Sequence, residues 1–210
     1  MTTAWLAGGT GLVGGELLRQ LLDDPQFSRV LAVGRRPLTL EHPKLAQARL
    51  DFASPAAFDA LEPPAVAFSC LGTTIKKAGS REAFRAVDHE AVLAFARAAR
   101  KKGAGVFVHV SSLGTDVRSR AFYLSVKGEV ERDVARVTFP SVYALRPSML
   151  DGRREERRPA EAVGLVVMRA LGPLLGRYRP TKVEAVARVM IASAKGAAPG
   201  VHVIEADAIR

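Results

Sequence analysis

Short apolar runs alternate with helix-period stretches along this chain, the pattern of a parallel sheet whose strands are joined by crossover helices. Ala4 to Ala7 predicts a first strand. Val13, Leu17, Leu18, Leu21 and Leu22 then fall at helical spacing, and Asp24-Pro25 closes that segment. Further strands are predicted at Arg29–Val33, Lys44–Leu50, Ala65–Cys70, Val106–Val110, Ser141–Leu145 and Val201–Ile204. Between them lie a short helix at Ala56–Leu61, stopped by Pro63-Pro64, and a long one at Glu82–Lys102. The long helix carries Phe84, Val87, Ala91, Phe95 and Ala98 as its apolar stripe, and it ends in Lys101-Lys102-Gly103, basic residues then glycine. Helices at Arg120–Val137 and Lys182–Ala194 complete the pattern.

These elements predict an α/β fold: a doubly wound parallel sheet of about seven strands in the order 3-2-1-4-5-6-7, with helices on both faces. The crevice for a ligand then lies at the carboxyl ends of strands one and four. The 210 residues are read as one domain. Residues 147–180 form a small, partly helical excursion on its substrate side. There Arg153 to Arg158 reads as a solvated helix face. Leu165 to Met168, with Leu171, Leu174 and Leu175, reads as core or as a pocket wall.

Composition narrows the partners. The net charge is +10, from 23 Arg and 8 Lys against 21 acidic residues. An excess of that size favours anionic partners. Aromatic residues are only 6%, and no long basic run occurs, so nucleic acid is not expected. The lone cysteine, Cys70, excludes an internal disulfide. Histidines 42, 89, 109 and 202 show no ligand spacing, so no metal site is expected. No apolar run reaches the roughly 18–20 residues of a membrane span. The start, Met1 to Leu6, has no basic region ahead of an apolar one. The expectation is a cytoplasmic protein without a transmembrane segment, monomeric or homodimeric.

Two motifs carry chemistry. Strand one runs into Gly8-Gly9-Thr10-Gly11-Leu12-Val13-Gly14. Glycines at that spacing between a strand and a helix permit a tight turn, close approach of backbone to a pyrophosphate, and close packing of helix on strand. The helix N-terminus offers free N–H groups to the phosphates. A nicotinamide dinucleotide is therefore expected on Gly8, Thr10, Gly11, Leu12, Val13 and Gly14. The tip of strand two bears Gly34-Arg35-Arg36 where an NAD-specific site would carry an acid. A guanidinium suits the extra phosphate of NADP(H). Asp51, beside Phe52, either accepts from the adenine amino group or serves as a turn residue.

Tyr123 and Lys127 stand four apart on a predicted helix, hence on one face, and Ser111-Ser112 ends strand five. A free tyrosine ionises near pH 10, and a neighbouring ammonium favours its phenolate. A serine hydroxyl beside the phenol orients and polarises a carbonyl. Such a set acts as general acid toward a carbonyl receiving hydride, or as base in the reverse direction.

This combination resembles the short-chain dehydrogenase/reductase superfamily in its extended or atypical branch. More narrowly, the order Gly34-Arg35-Arg36, Cys70-Leu71-Gly72-Thr73-Thr74, Lys77-Ala78-Gly79, Val87-Asp88, Ser111-Ser112, Tyr123-x-x-x-Lys127-Gly128-Glu129-Val130-Glu131 and Leu145-Arg146-Pro147 resembles the Tat-interacting-protein oxidoreductase family over nearly the whole chain. The resemblance implies NADP(H) on the glycine loop and Arg35/Arg36, and Leu71, Gly72 and Thr73 beside the cofactor. It implies Ser112, Tyr123 and Lys127 as the active triad, the last two also touching the cofactor. It also implies Pro147 to Leu150, Met149 included, along the nicotinamide. The superfamily often has an asparagine where this chain has Asp88. Two functions are compatible with these residues: an NADP(H)-dependent oxidoreductase of a small carbonyl or hydroxyl substrate, and an NADP(H)-binding regulator with little turnover. Retention of Ser112, Tyr123 and Lys127 favours the enzyme.

Overall fold

The computed structural model describes residues 2–151 and 178–210. Seven strands form one parallel sheet: β1 (Thr2–Ala7), β2 (Phe27–Gly34), β3 (Leu45–Arg49), β4 (Val66–Ser69), β5 (Val106–Val110), β6 (Ser141–Arg146) and, last in the chain, β9 (Gly200–Glu205). Their order is β3-β2-β1-β4-β5-β6-β9. This is the order read from the sequence. A separate parallel pair, β7 (Leu150–Asp151) with β8 (Thr181–Lys182), was not expected. It anchors the two ends of the 147–180 excursion to each other. The interior of that excursion, including Arg153 to Arg158 and Leu165 to Leu175, lies outside the described residues.

Because the central strands β1, β4 and β5 are apolar on both faces, the sheet needs a helical layer on each side. Ala4, Leu6, Val66, Phe68 and Val108 point to one side. There α1 (Leu12–Asp23) and α6 (Val183–Gly196) supply Leu17, Leu21, Val186 and Met190. Trp5, Ala7, Ala67 and Phe107 point to the other, against α4 (Ala91–Lys101) and α5 (Phe122–Ala135). Aromatic rings dominate this second layer. Trp5 and Phe95 lie 6.1 Å apart by centroid, and Phe52 packs on both Phe58 and Phe95. No helix among the described residues is long and apolar enough to cross a membrane.

The expected helix at Glu82–Lys102 is interrupted. It consists of α3 (Arg81–Arg85), one wide π-helical turn (Ala86–Glu90) and α4, with Ala91 N–H donating to Ala86 O five residues back. The wide turn holds one extra residue. Beyond Phe84 the inward positions are therefore Asp88, Val92, Phe95, Ala96 and Ala99, not the expected Val87, Ala91 and Ala98, which are half-buried. A fixed 3.6-residue period cannot anticipate that shift. Likewise the helix expected at Ala56–Leu61 is only a 3₁₀ turn at Pro55–Phe58, following a short loop from β3.

The π turn is held to α5 by ion pairs. His89 Nε2 lies 2.9 Å from Asp133 Oδ2, and Arg132 and Arg136 also reach Asp133. The Arg132 guanidinium, helped by His89, holds the Asp133 carboxyl down to about 2 from 3.8. A group depressed on folding stabilises the fold above its unfolded pKa and stops doing so as pH falls through its folded value. The shift corresponds to about 2 kcal/mol, trimmed toward 1 by solvent screening. Urea unfolding of the parent and of Asp133→Asn should differ by that amount at pH 7. The gap should close as pH falls from about 4 to about 2. A gap that persists undiminished at pH 2 would refute the assignment.

Candidate active site

The β1 and β4 termini meet around Gly8. Its φ is +87°, and a Cβ there would stand 2.5 Å from Cys70 O, so only glycine fits. Gly11 N–H donates to Gly8 O at 2.9 Å, closing the turn. A Cβ on Gly14 would lie 2.1 Å from Gly8 O, which sets how closely α1 approaches the strand. Thr10 and Gly11 are exposed at the helix mouth, Leu12 is half-buried, and Val13 faces the core. α1 has no side-chain cap and no acidic residue in its first turn, so its leading N–H groups and positive dipole end face outward without a competing carboxylate. A cradle that any side chain would fill, backed by free amides, fits the pyrophosphate of a dinucleotide.

Arg36 Nη2 reaches across from the β2 tip to Thr10 Oγ1 at 3.2 Å, and Arg35 beside it is exposed. Asp51 is exposed, with Oδ1 accepting from Ala53 N–H at 3.1 Å, the turn role weighed for it. Phe52 is only 5% exposed, and its ring belongs to the aromatic core.

Sequence alone left two serines at the end of β5, and their surroundings separate them. Ser111 is buried and donates to Glu131 Oε1 at 2.5 Å. Glu131 in turn receives two bonds from Arg146, at 3.0 and 2.6 Å, and Arg146 also pairs with Glu205 at 2.9 Å. Ser111 is thus consumed by a structural network. Ser112 is half-buried, and among the described residues its Oγ reaches only Leu113 O, at 3.5 Å. Its hydroxyl remains available to a ligand.

Tyr123 and Lys127 lie in the first two turns of α5. The Tyr123 ring packs 5.8 Å from Phe84, and its hydroxyl has no hydrogen-bond partner among the described residues. Lys127 is buried. Its Nζ lies 2.8 Å from Asp88 Oδ1, the two side chains being 7% and 0% exposed. Asp88 Oδ2 accepts from Thr73 N–H at 2.7 Å. A Cβ on Gly72 would come within 3.4 Å of Asp88 Oδ1 and 3.7 Å of Lys127 Nζ. The loop Leu71-Gly72-Thr73 therefore passes directly over the ion pair. Close by, burial pushes the His109 imidazole down to about 4, against the pull of Glu131, so the ring is neutral at pH 7. Burial raises the Cys70 thiol to about 12, which makes it a poor nucleophile. Pro147 is buried, and its carbonyl accepts from Leu113 N–H at 2.9 Å. Met149 is 46% exposed on the way to β7.

A fixed helical period leaves Asp88 off the apolar stripe, and the π turn that buries it beside Lys127 has no sequence signal of its own. Among the described residues no His, Cys, Asp and Glu gather as a metal centre.

No protein-family model matches the chain. Among curated proteins it is 33% identical to the mitochondrial protein FMP52 of Coccidioides immitis, over 95% of this chain and 88% of that protein. The corresponding Emericella nidulans protein is 39% identical over 82% of this chain and 77% of its own. HTATIP2 of Rattus norvegicus is 37% identical over 76% of this chain and 67% of its own. Among solved structures, MoeE5 in complex with UDP-glucose and NAD superposes with a TM-score of 0.75 at 21% identity, covering 96% of this chain and 74% of that one. The Bordetella bronchiseptica enzyme WbmH in complex with NAD+ gives 0.72 at 15%, covering 98% and 76%. These two likenesses speak for the fold.

The fungal relatives are named as mitochondrial, which overturns the expectation of a cytoplasmic protein. The physical reason is that a search for apolar runs reports only apolar targeting segments. A mitochondrial address is amphipathic and arginine-rich, and no apolar run reports it. At 33% and 37% identity over 95% and 76% of its length, this chain belongs with FMP52 and HTATIP2 to the Tat-interacting-protein oxidoreductase family of atypical short-chain dehydrogenases.

Proposed function

We propose that this protein is an NADP(H)-dependent oxidoreductase of a small carbonyl or hydroxyl compound, with Ser112, Tyr123 and Lys127 as its catalytic residues. One observation carries the reading. Among the described residues the Tyr123 hydroxyl and the Ser112 hydroxyl have no strong protein partners, while Lys127, one turn from the tyrosine, is buried and fixed. Residues serving only the fold would have their polar atoms satisfied, as those of Ser111 are.

The glycine loop, Leu71 to Thr73, Pro147 and Met149 would hold the dinucleotide, whose nicotinamide supplies or accepts a hydride. Arg35 and Arg36 would meet the 2′-phosphate. The neighbouring structures solved with NAD support a dinucleotide in general, and these arginines support NADP(H) in particular. Ser112 would orient the substrate carbonyl. Tyr123 would exchange the proton, and Lys127 would hold positive charge beside the phenol. Proton transfer of this kind contributes about 10²–10⁴ in rate.

Cofactor titration should show NADPH bound more tightly than NADH. The double change Arg35→Ala and Arg36→Ala should remove most of the difference, since hydrogen bonds to a charged phosphate are worth about 1.5–3 kcal/mol each. Equal affinities in the parent would refute the NADP(H) assignment. NADPH consumption should be measured against aldehydes, ketones and quinones. Tyr123→Phe should lower turnover by about 10²-fold or more with NADPH affinity nearly unchanged. Lys127→Ala should weaken binding and turnover together. A Tyr123→Phe protein working at the parent rate would end the catalytic assignment.

A further inference from the structure

We infer that Asp88, through its contact with Lys127, sets the pH range over which this site exchanges a proton with its substrate, by offsetting the ammonium that stands one turn from Tyr123; the inference rests on the oxidoreductase reading above. A bare ammonium one turn from a phenol favours the phenolate, the form that receives a proton when an alcohol is oxidised. Here the ammonium is not bare. Asp88 Oδ1 lies 2.8 Å from Nζ, with neither side chain more than 7% exposed. Little water intervenes to screen the pair, so Tyr123 faces a nearly neutral couple in place of a cation.

The carboxylate is fixed there from a second direction. Asp88 Oδ2 accepts from Thr73 N–H at 2.7 Å, so turning the carboxylate away from Lys127 would strand a backbone donor. The π turn delivers Asp88 to this spot. Oδ1 has no hydrogen bond of its own, which leaves its charge to the ammonium alone.

The other charges around α5 are largely spoken for. Arg85 pairs with Glu129 at 2.7 Å and His89 with Asp133 at 2.9 Å, both from the preceding helix. Glu131, on α5 itself, is held by Arg146 from β6, which also holds Glu205 of β9. His109 of β5 is neutral at pH 7, and Cys70 after β4 stays protonated. Arg81 lies over the Phe122 ring, 5.0 Å from its centroid, and Arg118 and Arg120 are exposed in the loop before α5, as are Lys76 and Lys77 after β4. Asp88 is the carboxylate that meets Lys127 among the described residues. It acts on the phenol through the lysine and is in that sense a positioning residue.

The reduction balances simply. The carbonyl carbon gains a hydride from a reduced nicotinamide dinucleotide, which is oxidised. The carbonyl oxygen gains the Tyr123 proton, and solvent returns one proton to the phenolate.

The test compares the parent with Asp88→Asn in both directions from pH 6 to 10, using a carbonyl found by NADPH consumption and its alcohol. Asn removes the charge and keeps an acceptor for Thr73. The pH profiles of both alcohol oxidation and carbonyl reduction by Asp88→Asn should move to lower pH by about one unit, while the ratio of the two kcat/KM values at any one pH stays fixed by the equilibrium. If Asp88→Asn does not fold, Asp88→Ser carries the same comparison. A second readout needs no turnover: thermal unfolding of Asp88→Asn, Lys127→Met and the double variant. Each single change strands a buried group, so the double should recover much of the loss. A superimposable pH profile in an active parent, or additive losses in the unfolding cycle, would overturn the inference and leave the oxidoreductase reading standing. A parent that turns over no carbonyl with either dinucleotide would overturn both.

Discussion

Strands β1, β4 and β5 carry apolar side chains on both faces, and covering those faces dictates the rest of the molecule. Each strand must hand the chain to a helix that crosses above or below the sheet before the next parallel strand can begin. All the strand-to-helix loops then emerge along one edge. At the centre of that edge, β1 and β4 diverge to opposite sides, and the chain is forced into close contacts. The carbonyl of Gly8 leaves no room for a side chain on Gly14, and the carbonyl of Cys70 leaves none on Gly8. The cradle is thus a by-product of packing a helix hard against the strand that precedes it, and the amides it exposes suit a phosphate.

The same edge gathers most of the buried polar groups. Burying a charge is costly unless it is paired, and two separate solutions stand side by side. Ser111, Glu131, Arg146 and Glu205 satisfy one another and join β5, α5, β6 and β9. Asp88, Lys127 and the Thr73 amide join the π turn, α5 and the loop after β4. The first network closes on itself. The second is held by the 2.8 Å contact of Asp88 Oδ1 with Lys127 Nζ, while nearby on adjoining strands Ser69 Oγ and His109 Nε2 are buried without hydrogen bonds among the described residues. Unsatisfied polar atoms beside a satisfied network one strand over mark this end of the sheet as the less completely closed.

Membership in a family with both animal and fungal relatives adds evolutionary breadth to this picture, while the site residues rest on their own geometry. Arg36 bridging to Thr10 ties the β2 tip to the glycine loop. Lys127 beneath Gly72 ties α5 to the loop after β4. The glycine cradle and the Tyr123–Lys127 pair on α5 are therefore parts of one edge. A change in the loop at Leu71 to Thr73 should be felt in both.

The sequence by itself determined the strand order, the glycine turn and the pairing of Tyr123 with Lys127. Each of these depends on local spacing: apolar runs of strand length, glycines where backbone must pass backbone, and a four-residue step along a helix. Tertiary structure alone decided which serine is free, because Ser111 differs from Ser112 only by facing Glu131. It decided that the Phe52 ring serves the core, since strand direction after β3 is set by the aromatic cluster it joins. It also decided the place of Asp88. A helix read at constant period puts Val87 inward, but the chain inserts one residue in a wide turn and buries a carboxylate against Lys127 instead. The stabilising partner lies 39 positions away on another helix, and no pattern confined to one helix can register it.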